Sequence, residues 1–73
     1  MQHGPGGLGA EVRRLRKQRG LTLRKLAEIV GFDPSYLSRI ETGKVRPSQS
    51  FLDRLIHALG LTVDERLRLI SFF

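Results

Sequence analysis

The sequence predicts an all-α fold, a compact bundle of five short helices, and three observations carry that prediction. Apolar residues recur at helical spacing from Leu8 onward. Four residues suited to capping a helix N-terminus, Thr22, Asp33, Ser48 and Thr62, each stand at the head of such a run. Four glycines, Gly20, Gly31, Gly43 and Gly60, stand at the ends of the first four runs, where a left-handed residue closes many helices.

Residues 1–7, MQHGPGG, hold four breakers and no periodicity, and read as a flexible arm without Lys or Arg. In the first helix Leu8, Val12 and Leu15 follow the i, i+4, i+7 rule, with Arg13, Arg14 and Lys17 off that face. Three apolar residues are too few for a membrane-surface helix. Thr22 opens the second helix, whose inner face is Leu26, Ala27 and Val30. Only Phe32 separates Gly31 from Asp33, so the chain turns sharply and sets the third helix at a large angle to the second. The third helix begins on Asp33 as cap and Pro34 as first residue, where the missing N–H removes nothing. Leu37 and Ile40 share its inner face, whereas Ser35, Ser38, Arg39 and Thr42 point mostly elsewhere. It reads as a polar probe on an apolar seat.

After the polar connection KVRPS, Ser48 caps a fourth helix with a broad stripe of Phe51, Leu52, Leu55, Ile56 and Leu59, the floor of the core. His57, four residues after Asp53, is expected to make a surface pair with it. Thr62 and Glu65 have capping-box spacing and open a fifth helix running toward Phe73. Val63, Leu67 and Ile70 share one face; Leu69, Phe72 and Phe73 lie roughly opposite. So small a monomer struggles to bury both faces. The second is therefore expected to meet a twofold partner, with Leu69, Phe72 and Phe73 as the dimer interface.

Composition narrows the function. A chain of 73 residues makes one domain with a thin core, burying only about 60% of its unfolded surface. The absence of cysteine excludes disulfides and thiolate metal sites, and fits a reducing, cytoplasmic compartment. Two histidines, His3 and His57, do not have zinc spacing, and no cofactor site is expected. No apolar run spans a bilayer and no signal peptide is visible. No paired carboxylates, nucleophile–base set or phosphate-cradling glycine loop points to an enzyme or a small-molecule substrate. The net charge of +6 and the pI near 11.2 point to a polyanionic partner, nucleic acid ahead of a membrane surface. Arg13, Arg14, Arg16, Lys17, Arg19, Arg24 and Lys25 hold over half of the 13 Lys and Arg residues. The segment from Ser48 to Leu61 holds only Arg54, so the charge is expected to form a docking surface on one half of the molecule.

The run LTLRKLAEIVGFDPSYLSRIETGKVRPS resembles the Cro/phage-repressor (XRE-type) helix-turn-helix family, over a match from about Leu8 to Leu61. Leu26-Ala27, Gly31, the run from Ser35 to Gly43 and Pro47-Ser48 carry the likeness as an ordered set. The resemblance implies a lambda-repressor-like bundle whose third helix enters the major groove of double-stranded DNA while the second lies across the backbone. Pro34, Ser35, Ser38 and Arg39 fall where the family reads bases, and Thr42, Gly43 and Lys44 where it contacts phosphate. Arg16 and Glu41 match a pair that often joins the first and third helices. Two positions depart from the pattern. Leu23 replaces the glutamine usual at the start of the second helix, so Thr22, Arg24, Lys25 or the free amides of that helix must hold the phosphate. Pro34 replaces an amide side chain and cannot make a hydrogen-bonded base contact, so adenine readout there is not expected.

Chemistry at these positions follows. Arg24, Lys25, Lys44 and Arg46 are candidates for phosphate neutralisation, each contact adding about −0.9 to the slope of log K against log salt. Arg39 is the long forked donor on the exposed face, suited to guanine O6 and N7, worth about 1–3 kcal/mol of discrimination; a phosphate contact or an ion pair with Asp33 is the alternative. Ser35 and Ser38 accommodate several bases. Tyr36 is expected to donate its hydroxyl to a phosphate or to pack beside the second helix. The function expected is a dimeric transcription regulator, a repressor, on a palindromic operator. The alternatives are a restriction-modification controller, a protein-interaction module such as an antitoxin, or a non-specific nucleic-acid binder.

Overall fold

The computed structural model describes residues 7–72. The expected N-terminal arm, apart from Gly7, and Phe73 lie outside those residues. Five helices follow in order: α1 (Leu8–Gln18), α2 (Leu23–Val30), α3 (Pro34–Glu41), α4 (Gln49–Leu59) and α5 (Val63–Ile70). The capping logic accounts for their starts. Thr22 Oγ1 accepts the Lys25 N–H at 3.0 Å, Asp33 Oδ1 the Ser35 N–H at 2.9 Å, and Ser48 Oγ the Phe51 N–H at 3.1 Å. Thr62 and Glu65 exchange both bonds of a capping box, at 3.1 and 3.0 Å. Gly31 and Gly60 close α2 and α4 in the left-handed region, at φ 76° and 57°.

The core takes Val12 and Leu15 from α1, Leu26, Ala27 and Val30 from α2, Leu37 and Ile40 from α3, and Phe51, Leu52 and Leu55 from α4. Phe32, on the corner between α2 and α3, joins Tyr36 and Phe51 in an aromatic cluster, with centroids 5.3 to 5.9 Å apart. α1 meets the end of α3 at backbone distance. A Cβ on Gly9 would stand 2.2 Å from the Ile40 carbonyl oxygen and 2.8 Å from that of Glu41. A helical glycine, otherwise unfavourable by about 1 kcal/mol against alanine, is thereby explained.

α5 corrects the expected facing. Leu69, read as an interface residue, is fully buried and is the one α5 side chain in the core. Val63, Leu67 and Ile70 are 61%, 60% and 50% exposed. The cause is polar. Arg19 of α1 donates through Nη2 to Glu65 Oε1 at 2.8 Å and through Nε to the Leu59 carbonyl at 3.2 Å. Glu65 and Leu69 are four apart on one face, so the ion pair turns Leu69 inward. The helix stops at Ile70 and does not run to Phe73; the Ser71 hydroxyl donates to the Arg68 carbonyl at 2.6 Å. Phe72 remains partly exposed. His57 also differs: its Nδ1 lies 3.1 Å from the Asp53 backbone carbonyl, while the Asp53 carboxylate accepts from Gln49.

Candidate nucleic-acid interface

The side of α3 opposite Leu37 and Ile40 carries Pro34, Ser35 and Arg39, all exposed, and half-buried Ser38. The Asp33 carboxylate does not claim the Arg39 guanidinium. It accepts the Ser35 amide and, at 2.9 Å, the Ser35 hydroxyl. Those two bonds, the amide first, hold Asp33 below the usual carboxylate range. Ser35 therefore presents its oxygen outward as an acceptor, its hydrogen being engaged. Arg39 makes no side-chain hydrogen bond or ion pair among the described residues, although its charge also helps to lower the Asp33 pKa, and it is the exposed forked donor of this face.

Around α3 the expected phosphate contacts sort into two kinds. At the start of α2, Thr22 uses its oxygen as a cap and keeps its own hydrogen to donate. Arg24 is exposed with no partner among the described residues, and Lys25 stands 3.6 Å from Glu28 with both side chains largely in solvent. Beyond α3 the donors turn inward. The Thr42 amide and hydroxyl both donate to the Ser38 carbonyl at 3.0 Å, and the Gly43 amide to Ile40 at 3.0 Å. The Lys44 amide donates to Arg39 at 2.8 Å, which leaves the exposed Lys44 ammonium as the outward donor of the trio. Gly43, at φ 79°, supplies the left-handed turn that makes this closure possible. Arg46 is exposed in the connection to α4.

Tyr36 is half-buried, stacked on Phe32, and its oxygen accepts the Ser48 N–H at 3.1 Å. Ser48 caps α4 but has Phe51, not Glu or Gln, three residues on, so no local side chain completes a capping box. Tyr36 supplies that missing acceptor from α3. Leu23, where the family carries glutamine, packs half-buried against the core.

The Arg16–Glu41 pair is present and buried. Nε donates to Oε2 at 2.8 Å and Nη2 to Oε1 at 3.1 Å, while Nη1 reaches the Leu21 carbonyl at 2.8 Å. Other cations grouped by sequence into one docking surface are engaged within the fold: half-exposed Arg14 pairs with Glu11 of its own helix, and Arg19 ties α1 to α4 and α5. Sequence reasoning missed Arg19 and Arg54 as structural residues, since a basic side chain carries no sign of which carbonyl it will meet. Gly9 did carry a signal, an isolated glycine inside a helical run.

A profile of the family described as Helix-turn-helix domain matches residues 7–69. The chain belongs to the helix-turn-helix family of the Cro/phage-repressor (XRE) type. Relatives of this XRE-type domain are transcriptional regulators. PuuR of Escherichia coli (strain K12) is 39% identical over 57 residues, 78% of this chain and 31% of that protein. ClgR, the clp gene regulator of Corynebacterium glutamicum, superposes with a TM-score of 0.74 at 41% identity, over 88% of this chain and 83% of that one. SinR of Bacillus subtilis, the master regulator for biofilm formation, has been solved in complex with DNA. It superposes with a TM-score of 0.70 at 36% identity, over 82% of this chain and 97% of that one. Among the described residues of the XRE-type domain, no helix is long and apolar enough to cross a membrane. No group of three or more His, Asp or Glu side chains among them could hold a metal ion.

Proposed function

We propose that this chain is a sequence-specific, double-stranded DNA-binding transcription regulator that reads the major groove with α3 and represses by occupying its operator. The observation that carries the reading is the outer face of α3. It holds a polar set with one guanidinium that no hydrogen bond or close ion pair engages among the described residues, the Asp33 carboxylate bonding Ser35 and acting on Arg39 only through its charge. In this reading Arg39 contacts a guanine, Ser35 and Ser38 follow the neighbouring base edges, and Pro34 offers only an apolar contact. Thr22, Arg24, Lys25, Lys44 and Arg46 hold phosphates. The N-terminal amides of α2 assist them, as helix N-termini attract anions. The hydroxyl hydrogen of Tyr36 remains available to the same backbone.

The regulator acts as a homodimer on an approximately palindromic site, with two α3 helices about 34 Å apart. The dimer face is the exposed side of α5, Val63, Leu67 and Ile70, joined by Phe72. Selection of bound sites from a random duplex pool tests both claims, with an inverted repeat as the expected result. No enrichment, or enrichment without symmetry, refutes the corresponding half. On the selected site, Arg39→Ala relaxes preference at one base pair per half-site, whereas Lys44→Ala weakens every duplex alike and reduces the salt slope by about 0.9 per subunit. Direct titrations across single-base variants distinguish the two.

A further inference from the structure

We infer that Arg54 of α4, which belongs to neither α2 nor α3, is a positioning residue for operator reading: it locks the corner between them. The corner is built from very few atoms. Gly31 ends α2, Phe32 alone crosses, and Asp33 caps α3. The Gly31 and Phe32 amides both return to the Ala27 carbonyl, at 2.9 Å each. Gly31 also reaches Glu28, at 3.3 Å. The carbonyl of Val30, the last residue of α2, has no following helical amide to meet it. Arg54 Nη1 donates to it at 3.3 Å.

The same guanidinium lies 5.3 Å from the centroid of the Phe32 ring. That ring stacks on Tyr36 of α3 and stands edge-on to Phe51 of α4. One planar cation therefore joins the end of α2, the corner residue and, through the ring, the first turn of α3. Arg54 also lies close over the corner: a Cβ on Gly31, which is left-handed at φ 76°, would stand 3.0 Å from Arg54 Nη1. The angle set here fixes the phosphate-holding start of α2 relative to the base-reading face of α3. A small rotation moves base contacts out of hydrogen-bonding range before it moves screened phosphate contacts, because hydrogen bonds weaken steeply with angle and distance. Arg54 thus sets specific affinity without touching a base. Lysine is a poor substitute, since a point charge cannot cover the ring and hold the carbonyl with one planar fork.

The inference rests on the DNA-reading proposal, and its test separates the two. Arg54→Ala and Arg54→Lys are titrated against the selected operator and a scrambled duplex at several salt concentrations, well below each variant's melting temperature. The expected result is a loss of about tenfold on the operator for Arg54→Ala, a change of less than about twofold on the scrambled duplex, an unchanged salt slope, and only partial recovery with lysine. An unchanged operator-to-scrambled ratio, even with a lowered melting temperature, reduces Arg54 to a stability residue and overturns the inference. A salt slope smaller by about 0.9 with full rescue by lysine makes Arg54 a phosphate contact and overturns it too. If the wild-type chain selects no operator, the DNA-reading proposal itself fails, an outcome distinct from both.

Discussion

Replacing Glu41 by alanine is the sharpest test of how the bundle holds α3. Glu41 is the last residue of α3, where the helix dipole disfavours an anion by about 0.3–1 kcal/mol. Something must offset that cost, and Arg16 does. Were the pair exposed, its loss would amount to about 0–1 kcal/mol. The exposure decides otherwise: the Glu41 and Arg16 side chains are 5% and 11% accessible, and the carboxylate takes two parallel bonds. Glu41→Ala leaves Nε and Nη2 of a buried guanidinium without partners, a situation that costs about 3–5 kcal/mol. A 73-residue domain has roughly 4–11 kcal/mol of stability in all. The variant is therefore near the edge of folding, with a melting temperature lower by at least about 12 °C.

Urea unfolding at pH 7 measures the loss directly, with an unchanged m-value as the check that the denatured state has not altered. The double variant Arg16→Met with Glu41→Leu should recover most of the stability, because it removes the stranded charge and fills the space with apolar atoms. At concentrations where the protein is folded, base preference should not change. A loss below about 1 kcal/mol for Glu41→Ala refutes the burial argument. Equal stability with an altered operator would instead make Glu41 a reading residue.

Three further outcomes are expected. Leu67→Asp leaves monomer stability close to wild type and converts a dimer to a monomer in sedimentation, whereas Leu69→Ala costs about 2–5 kcal/mol in unfolding; an unchanged dimer mass for Leu67→Asp rejects the exposed α5 face as the interface. Glu65 has its pKa lowered, first by Arg19 and then by the Thr62 amide, so its contribution is present above the unfolded value near about 4.3 and vanishes as pH falls through the folded one. Stability of Glu65→Gln against pH should therefore lie below wild type at neutral pH and merge with it in acid; a constant offset rejects the ion pair. Gly9→Ala should destabilise by about 1–3 kcal/mol even though alanine favours helix, because the added methyl meets the Ile40 carbonyl; a gain in melting temperature would show that α1 can move aside.

The starts of α2 to α5 were legible because they depend on single residues and their immediate neighbours, whereas the end of α5 at Ile70 was not. Thr22, Asp33, Ser48 and Thr62 each cap their own first turn, and nothing distant competes for them. The facing of α5 was not legible. Both of its faces are apolar, and the deciding contact joins Arg19 to Glu65 across 46 positions of chain. Periodicity reports that two stripes exist and is silent on which one a remote arginine turns inward. Tyr36 shows the same limit: no local pattern tells that its oxygen accepts the amide at the cap of a helix 12 residues later, while its ring stacks on Phe32. The outward set on α3, Pro34, Ser35, Ser38 and Arg39, was legible because the apolar spacing of Leu37 and Ile40 marks the buried seat.

Charge is where sequence and structure part most usefully. A cluster of arginines near one end of a basic chain looks like a single electrostatic surface. In the folded chain the cluster divides according to what each guanidinium can reach. Arg16 and Arg19 each combine a carboxylate with one or two backbone carbonyls, which only a branched, planar donor can do at once. Arg54 combines a carbonyl with a ring. Among the described residues the lysines form no such multiple contacts, and the Lys44 side chain is exposed to solvent. Net charge therefore overstates the surface available to a polyanion and understates the polar framing of the bundle. With one apolar residue of α5 in the core, the angles between these short helices depend on arginines as much as on leucines. A helix of eight residues such as α3 can be held to one orientation in so small a domain because arginines fix its two ends from outside, Arg16 through Glu41 and Arg54 through Phe32.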